Sequence, residues 1–303
     1  MSLKIIELPE QFRPSTSITY PPFKNGRYME EYVYEYLMEN KDDIKTDLVY
    51  LPVFWTNLQN HRGFSNSRDR YEIILHNILY KYIVERLPVQ TKFFTIVQHD
   101  DGPQLTIPPN TIIFGACTGS IPLPLIYEDV TNRLNTIGMR NPKEPMRYLA
   151  SFIGSDTHPI RRELCDVLQN DPDIHYIIKN DWTNSIPEED CIKYIDASVH
   201  SKFSLAPRGY GRSSFRFFEA IQMNIIPVYF WDDKLWLPYQ DEIDYSKFSL
   251  SINKVFIGST LQNLKVISDE KYKMMLDELK KVKHMFTMEY MCTYIIKRIE
   301  GDR

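Results

Sequence analysis

Between an apolar strand and an apolar helix, residues 203–228 carry Arg208, Gly209, Tyr210, Gly211, Arg212, Ser213, Ser214, Arg216 and Glu219. A strand (Phe203 to Ala206) that passes through a glycine loop into a helix can build an anion site. Small residues let the backbone approach, and the free N–H groups at the helix start face the ligand. Arg208 and Arg212 add fixed positive charge suited to a diphosphate. The helix expected over Ser213–Met223 is apolar almost all round, which marks it as buried, yet Arg216 and Glu219 share one of its faces.

That pair has two readings. One is a partly buried structural ion pair. The other has Arg216 on a phosphate and Glu219 accepting from two ribose hydroxyls, and the adjacent glycine loop favours it. Asn224 ends the helix as a residue that tolerates the left-handed backbone of a C-terminal cap. Ile225–Phe230 then reads as a strand with Pro227 inside it.

The elements around this segment alternate. Tyr28–Glu39 reads as helix, Leu48–Phe54 as strand and Asp69–Arg86 as a long helix, followed by strands at Phe93–Gln98 and Thr111–Phe114. The polar stretch 132–145, with Pro142 and Pro145, reads as a linker. A second set follows, with strands at Tyr148–Ile153, Ile174–Ile178, Lys202–Ala206 and Ile225–Phe230 and helices starting near Pro159, Pro187 and Ser213. A helical tail covers Asp269–Arg298. Such alternation predicts an α/β protein of two Rossmann-like, doubly wound domains, residues 1–140 and 146–285, with ligands at the carboxyl ends of the strands.

Composition agrees with a globular enzyme: 303 residues, 43% hydrophobic and 25% charged. The net charge of -4 counts against nucleic acid or an acidic membrane as partner. The four cysteines lack metal or redox spacing. Neither a signal-peptide core nor a long apolar run occurs, so a cytoplasmic protein without a membrane span is expected.

Pro207-Arg208-Gly209, Ser214-Phe215-Arg216-Phe217-Phe218-Glu219-Ala220 and Ile226-Pro227-Val228 together resemble the C-terminal signature of the exostosin family of glycosyltransferases. The likeness continues through Leu237-Pro238 and Ile243-Asp244-Tyr245. Upstream, Arg147-Tyr148-Leu149-Ala150-Ser151-Phe152-Ile153-Gly154, with Arg161 and Leu164, is similar to the family's Arg-x-x-Leu-x-x-Phe-x-Gly segment. Asp47–Val53 and Arg68-Asp69-Arg70 are weaker matches. Two residues depart from the pattern: Asn224 stands where Gly is usual, and Arg70 where His is usual.

The resemblance implies a GT-B arrangement of two Rossmann-like domains with a cleft between them and a C-terminal helix (286–303) returning to the first domain. It also implies inverting transfer of a sugar from a UDP-sugar to a glycan hydroxyl. The chain looks most like the stand-alone exostosin-like proteins of large algal viruses, which points to UDP-xylose as donor. Arginines and a helix terminus can neutralise the diphosphate, so no metal or further cofactor is expected. Gly154 and Arg161 join the donor-binding set.

The base is sought in the first domain. Asp69, or the group His99, Asp100 and Asp101 after a strand, are the candidates; the plain alternatives are a helix-start residue and a turn. His61 and Trp55 are candidates for acceptor contact, against a solvated loop and core packing. Asp171-Pro172-Asp173 spells a D-x-D but sits where a turn is needed. Two rivals remain: an inactive nucleotide-sugar-binding partner subunit, and a dehydrogenase, which the absence of G-x-G-x-x-G counts against.

Overall fold

The computed structural model describes residues 1–61, 68–139 and 145–301. Two compact units divide the chain: residues 1–18, 26–128 and 288–303 form one, residues 19–25 and 129–287 the other.

In the first unit, strands β1 (Lys4–Ile5), β2 (Val49–Tyr50), β3 (Phe93–Val97), β4 (Thr111–Gly115) and β5 (Ile121–Pro122) form one parallel sheet in that spatial order. Among the helices between them are α1 (Met29–Asn40), α2 (Trp55–Asn60) and α3 (Arg68–Val84). All of β3 is buried, as expected of a central parallel strand covered on both faces. Phe93 and Val97 pack with Leu75 and Leu79 of α3, while Phe94 lies between the rings of Tyr50 and Phe114. The strand expected over Leu48–Phe54 is curtailed, because the chain turns at Pro52 into α2. The C-terminal helix Met288–Glu300 packs on α1, and Thr46 donates to the Ile299 carbonyl at 2.6 Å.

The second unit contains α4 (Arg133–Met139), β6 (Tyr148–Ser155), α5 (Pro159–Leu168), β7 (Ile174–Lys179), α6 (Glu188–Val199), β8 (Ser201–Pro207), α7 (Phe215–Gln222), β9 (Ile226–Trp231) and β10 (Leu250–Asn253). Its sheet is wholly parallel, in the order β10-β9-β8-β6-β7. β7 lies on one edge of β6 and β8 on the other, so the direction of winding reverses at β6. A doubly wound sheet opens a crevice at such a point, at the carboxyl ends of the two diverging strands. The first sheet, laid down in sequential order, has no such reversal among its described strands. Two parallel-sheet α/β units of five strands each are thus present as expected, the second doubly wound and the first wound in one direction among its described strands.

The stretch read as a linker holds α4, with residues 140–144 outside the described residues. Gly138 explains why this short helix forms where it does. A Cβ there would lie 2.7 Å from the Met223 backbone, so only glycine lets α4 lie against the end of α7. Asn224 takes φ 58 and donates to the Gly138 carbonyl at 2.8 Å, closing α7 with the left-handed cap that its side chain tolerates. Lys283 completes this end: its Nζ donates to Gln222 O (2.6 Å) and Asn224 Oδ1 (3.0 Å), and burial pulls its pKa down to about 8. Pro227 is tolerated within β9 because pairing with β10 begins only at Val228.

Candidate functional site

The carboxyl ends of β6 and β8, where the second sheet reverses, are tied together by one guanidinium. Arg161 of α5 donates from Nε to Arg208 O (3.0 Å), from Nη1 to Ser155 O (2.6 Å) and from Nη2 to Pro207 O (3.3 Å). It is 9% exposed and lies over the Phe152 ring. Three carbonyls at the strand ends are thereby tied to one side chain, the Ser155 carbonyl also accepting from Thr157 N–H at 3.0 Å. Arg161 is therefore a positioning residue, with most of its donors already engaged, rather than the free phosphate ligand expected. Gly154 is required beside it, since a Cβ there would come within 2.6 Å of the Phe152 ring.

The loop after β8 is organised by Arg208, which is 8% exposed. Its Nε donates to Gly211 O (3.2 Å), its Nη2 to Tyr210 O (3.1 Å), and its Nη1 to Asp233 (2.7 Å) and to Asp232. Arg212 donates to the other oxygen of Asp233 at 2.7 Å and its guanidinium lies 5.8 Å from the Trp236 ring. Against partial burial, which works the other way, Arg212 and Arg208 hold the Asp233 carboxyl below the usual range. Asp232 also lies 3.4 Å from His158 Nε2; burial and then Arg208 push that imidazole down, towards its neutral form. Neither glycine of the loop is among those with positive φ. Gly209 is instead a matter of room: a Cβ there would lie 3.3 Å from Arg161 Nη2 and 3.4 Å from Thr157 Oγ1. Tyr210 stands out on the rim, 65% exposed.

Ser213 and Ser214 are buried, and Ser214 caps α7 with extended backbone but makes no side-chain cap bond. Phe217 N–H donates instead to the Ser214 carbonyl at 3.1 Å, a tight first turn closed by backbone. Inside that turn, Arg216 donates from Nε to Ile153 O (3.1 Å) and from Nη1 to Glu219, with its guanidinium 3.8 Å from the Tyr194 ring. Glu219 is 2% exposed. Burial opposes the charge on Arg216, and the neighbouring Glu219 carboxylate outweighs it, so the guanidinium stays charged. Tyr20, from the short stretch 19–25, reaches this pair too: its ring meets Phe215 at 6.0 Å, and its hydroxyl feels Arg216, Glu219 and Arg161. Sequence reading missed it, because nothing in Thr19-Tyr20-Pro21 announces a contact with residues two hundred positions away.

All the donor-binding candidates therefore converge on one crevice. The candidates of the first unit are more scattered. His99, Asp100 and Asp101 follow the carboxyl end of β3; Asp101 N–H donates to His99 Nδ1 at 3.3 Å, and the Asp101 carboxylate lies 3.9 Å from it. Asp69 is exposed in the first turn of α3, and His61 stacks on Tyr71 at 5.8 Å; the neighbours of His61 at 62–67 lie outside the described residues. Trp55 is a correction. It is fully buried in the core, with Nε1 donating to Thr95 Oγ1 at 2.9 Å, so it cannot touch an acceptor. The D-x-D carboxylates form a turn in which Asp171 accepts from Asp173 N (3.0 Å) and from Lys265 (2.6 Å). Among the described residues no group of three or more His, Cys, Asp or Glu is placed to hold a metal ion, and no helix is long and apolar enough to cross a membrane.

One buried carboxyl in the first unit was passed over. Glu30 shares the inward face of α1 with Val33 and Leu37, a spacing that would have marked it. Its Oε1 accepts from Gln98 N (2.9 Å) and Thr56 Oγ1 (2.9 Å), while Oε2 has no hydrogen-bond partner among the described residues. Burial lifts its pKa from 4.5 to about 7, against those bonds. Because the folded value lies above the unfolded one, the associated stability is present below pH 4.5 and lost as pH rises through 7. At alkaline pH the ionised carboxylate costs about 3 kcal/mol. Glu30→Gln is expected to raise stability at pH 8 by roughly that amount and to flatten the stability profile between pH 5 and pH 8, as read by urea unfolding. An unchanged profile would show that Glu30 is not the titrating group.

Comparison with known proteins places this geometry. Residues 117–264 match the Exostosin GT47 domain, and that span contains every strand of the second sheet. A protein of Arabidopsis thaliana named "Probable glycosyltransferase" is 31% identical over 94 residues, which make up 31% of this chain and 20% of that protein. The chain thus spans about a fifth of the length of the plant protein that it matches. Among solved structures, WaaG, a glycosyltransferase involved in lipopolysaccharide biosynthesis, is similar at TM-score 0.39 and 12% identity, over 89% of this chain and 81% of that one. The pneumococcal O-GlcNAc transferase GtfA, in complex with UDP and GlcNAc, is similar at TM-score 0.37 and 11% identity, over 89% of this chain and 59% of that one. The fold rests on the sheets themselves, not on these distant likenesses.

Proposed function

We propose that this chain transfers a sugar from a UDP-sugar to a glycan hydroxyl, with inversion. The observation that carries the reading is the crevice between β6 and β8, where Arg208, Arg212, Arg216 and the start of α7 meet inside the segment that matches the exostosin domain. A departing diphosphate develops negative charge, and preorganised donors in a half-buried site stabilise it without waiting for solvent to reorganise. The guanidinium groups and the positive end of α7 face the phosphate oxygens, and Glu219 accepts from the ribose hydroxyls. Inversion requires in-line attack and a group that removes the acceptor proton. Asp101 and His99, at the carboxyl end of β3, are the first pair to test for that task, with Asp100 and Asp69 after them. The guanidinium groups supply the positive charge that a metal provides elsewhere, so we propose a reaction needing no cofactor beyond the UDP-sugar. UDP-xylose is the donor we put forward, with a glycan or glycoprotein as acceptor.

A thermal-shift panel of UDP and UDP-sugars tests the binding half, since a ligand that binds only the native state raises its melting temperature. UDP is expected to raise it, and UDP-xylose to raise it further. With an oligosaccharide acceptor present, UDP release and an inverted anomeric signal in the product are the expected readouts. Stabilisation by UDP with neither hydrolysis nor transfer would favour the inactive-partner reading. No stabilisation by any nucleotide would overturn both.

A further inference from the structure

The proposed donor site has an aromatic wall on one side. Trp182 follows β7 by three residues and is 54% exposed, whereas Trp55 and Trp236 are 0% and 1% exposed. An exposed tryptophan is normally free to rotate, but this one is held. Its ring meets Tyr20 edge-on at 5.3 Å and 69°. Tyr20 in turn packs edge-on against Phe215, the first residue of α7, at 6.0 Å. Trp182 is thus fixed beside the start of the helix that receives the diphosphate, with part of its surface left to solvent.

The order of groups across the strand ends has a direction. Trp182 stands at the end of β7, with Tyr20 bridging it to Arg216 and Glu219. Gly154 and the Arg161 contacts stand at the ends of β6 and β8, then Arg208 and its loop after β8, then Asp232 and Asp233 after β9. A sugar nucleotide is linear: base, ribose, diphosphate, sugar. With the diphosphate between β6 and β8 and the ribose at Glu219, the base falls towards β7 and the transferred sugar towards β9.

We infer that Trp182, braced by Tyr20, is the platform on which the nucleotide's base stacks, which lays the donor across the sheet with its base over β7 and its sugar over β9. This rests on the donor-site reading above. A flat π-face accepts a base without demanding particular hydrogen bonds, so Trp182 supplies affinity for the nucleoside rather than discrimination among sugars.

Calorimetry and tryptophan emission of the full chain test it, with uridine diphosphate, uridine, inorganic pyrophosphate and free xylose as probes. Trp182→Ala is expected to weaken uridine diphosphate roughly 10-fold or more, to leave pyrophosphate affinity unchanged and to abolish most of the emission change that the nucleotide causes. Trp182→Phe should keep most of the affinity. Melting temperatures within a degree or two of wild type are expected for so exposed a position. Equal affinity of wild type and Trp182→Ala for uridine diphosphate would overturn the inference while leaving the donor site standing. So would a loss seen only with a UDP-sugar, which would place the sugar on the ring, or equal losses for nucleotide and pyrophosphate. If wild-type protein bound neither nucleotide nor pyrophosphate, the donor-site reading would fail and the platform with it.

Discussion

Arg208→Ala is expected to abolish measurable UDP binding and to lower stability by about 2 kcal/mol. The side chain is almost wholly enclosed by what it orders: carbonyls of Tyr210 and Gly211 on one side, Asp232 and Asp233 on the other. Truncation frees the loop that approaches the phosphates, takes the guanidinium away from Asp232 and leaves Asp233 with Arg212 alone, at the edge of a site meant for an anion. The stability loss falls below that of a fully buried pair, because Asp233 is 46% exposed and rehydrates. The loss of binding is the larger effect, since a diphosphate would meet net negative charge on a disordered loop. Arg208→Lys separates the two roles. It restores a charge but not the planar fork that reaches both carboxylates and both carbonyls, so it should recover more stability than affinity. Urea unfolding and calorimetry with UDP measure the two sides. UDP affinity unaltered in Arg208→Ala would remove this residue from the site.

The loop and helix of the proposed donor site were legible in the sequence because their residues are contiguous. Strand, glycine loop, helix start and cap all lie between Phe203 and Asn224, and each has a local signature: apolar run, glycine spacing, serine before an apolar helix, asparagine at the left-handed position. The alternation of strands and helices was legible for the same reason, as a periodicity visible within a few residues. Long-range contacts left no such mark. Tyr20 joins the crevice from the start of the chain, and Asp232 and Asp233 are counter-ions of Arg208 and Arg212. Trp55 misled for a complementary reason. A tryptophan next to a Pro-containing strand end has the same sequence whether it faces a ligand or the core, and only the Thr95 partner, forty residues on, decides. α4 hid in a polar, proline-flanked stretch because what holds it is the backbone of α7 against Gly138.

Arg216 and Glu219 present the sharpest case, because the structural and the functional reading of the pair predict different outcomes for the same set of variants. Arg216→Met leaves Glu219, 2% exposed, without its counter-charge, and is expected to cost about 3–5 kcal/mol. Glu219→Leu strands Arg216 likewise, though less severely, because that guanidinium keeps the Ile153 carbonyl and the Tyr194 ring face. The double variant Arg216→Met/Glu219→Leu removes both charges and fills the space with apolar atoms, so most of the lost stability should return; replacing a buried ion pair by well-packed hydrophobic residues is often neutral or better. A pair that served only the fold would then be dispensable, and UDP affinity would recover together with stability. A pair that holds phosphate and ribose would not be, and the double variant should fold like wild type while binding UDP at least 100-fold more weakly, a loss of about 3 kcal/mol. The double-mutant cycle run once by urea and once by calorimetry therefore yields two coupling energies, large in stability and near zero in binding if the donor reading holds. Coupling energies of equal size in both would mean that the ion pair acts on UDP only by keeping α7 in place.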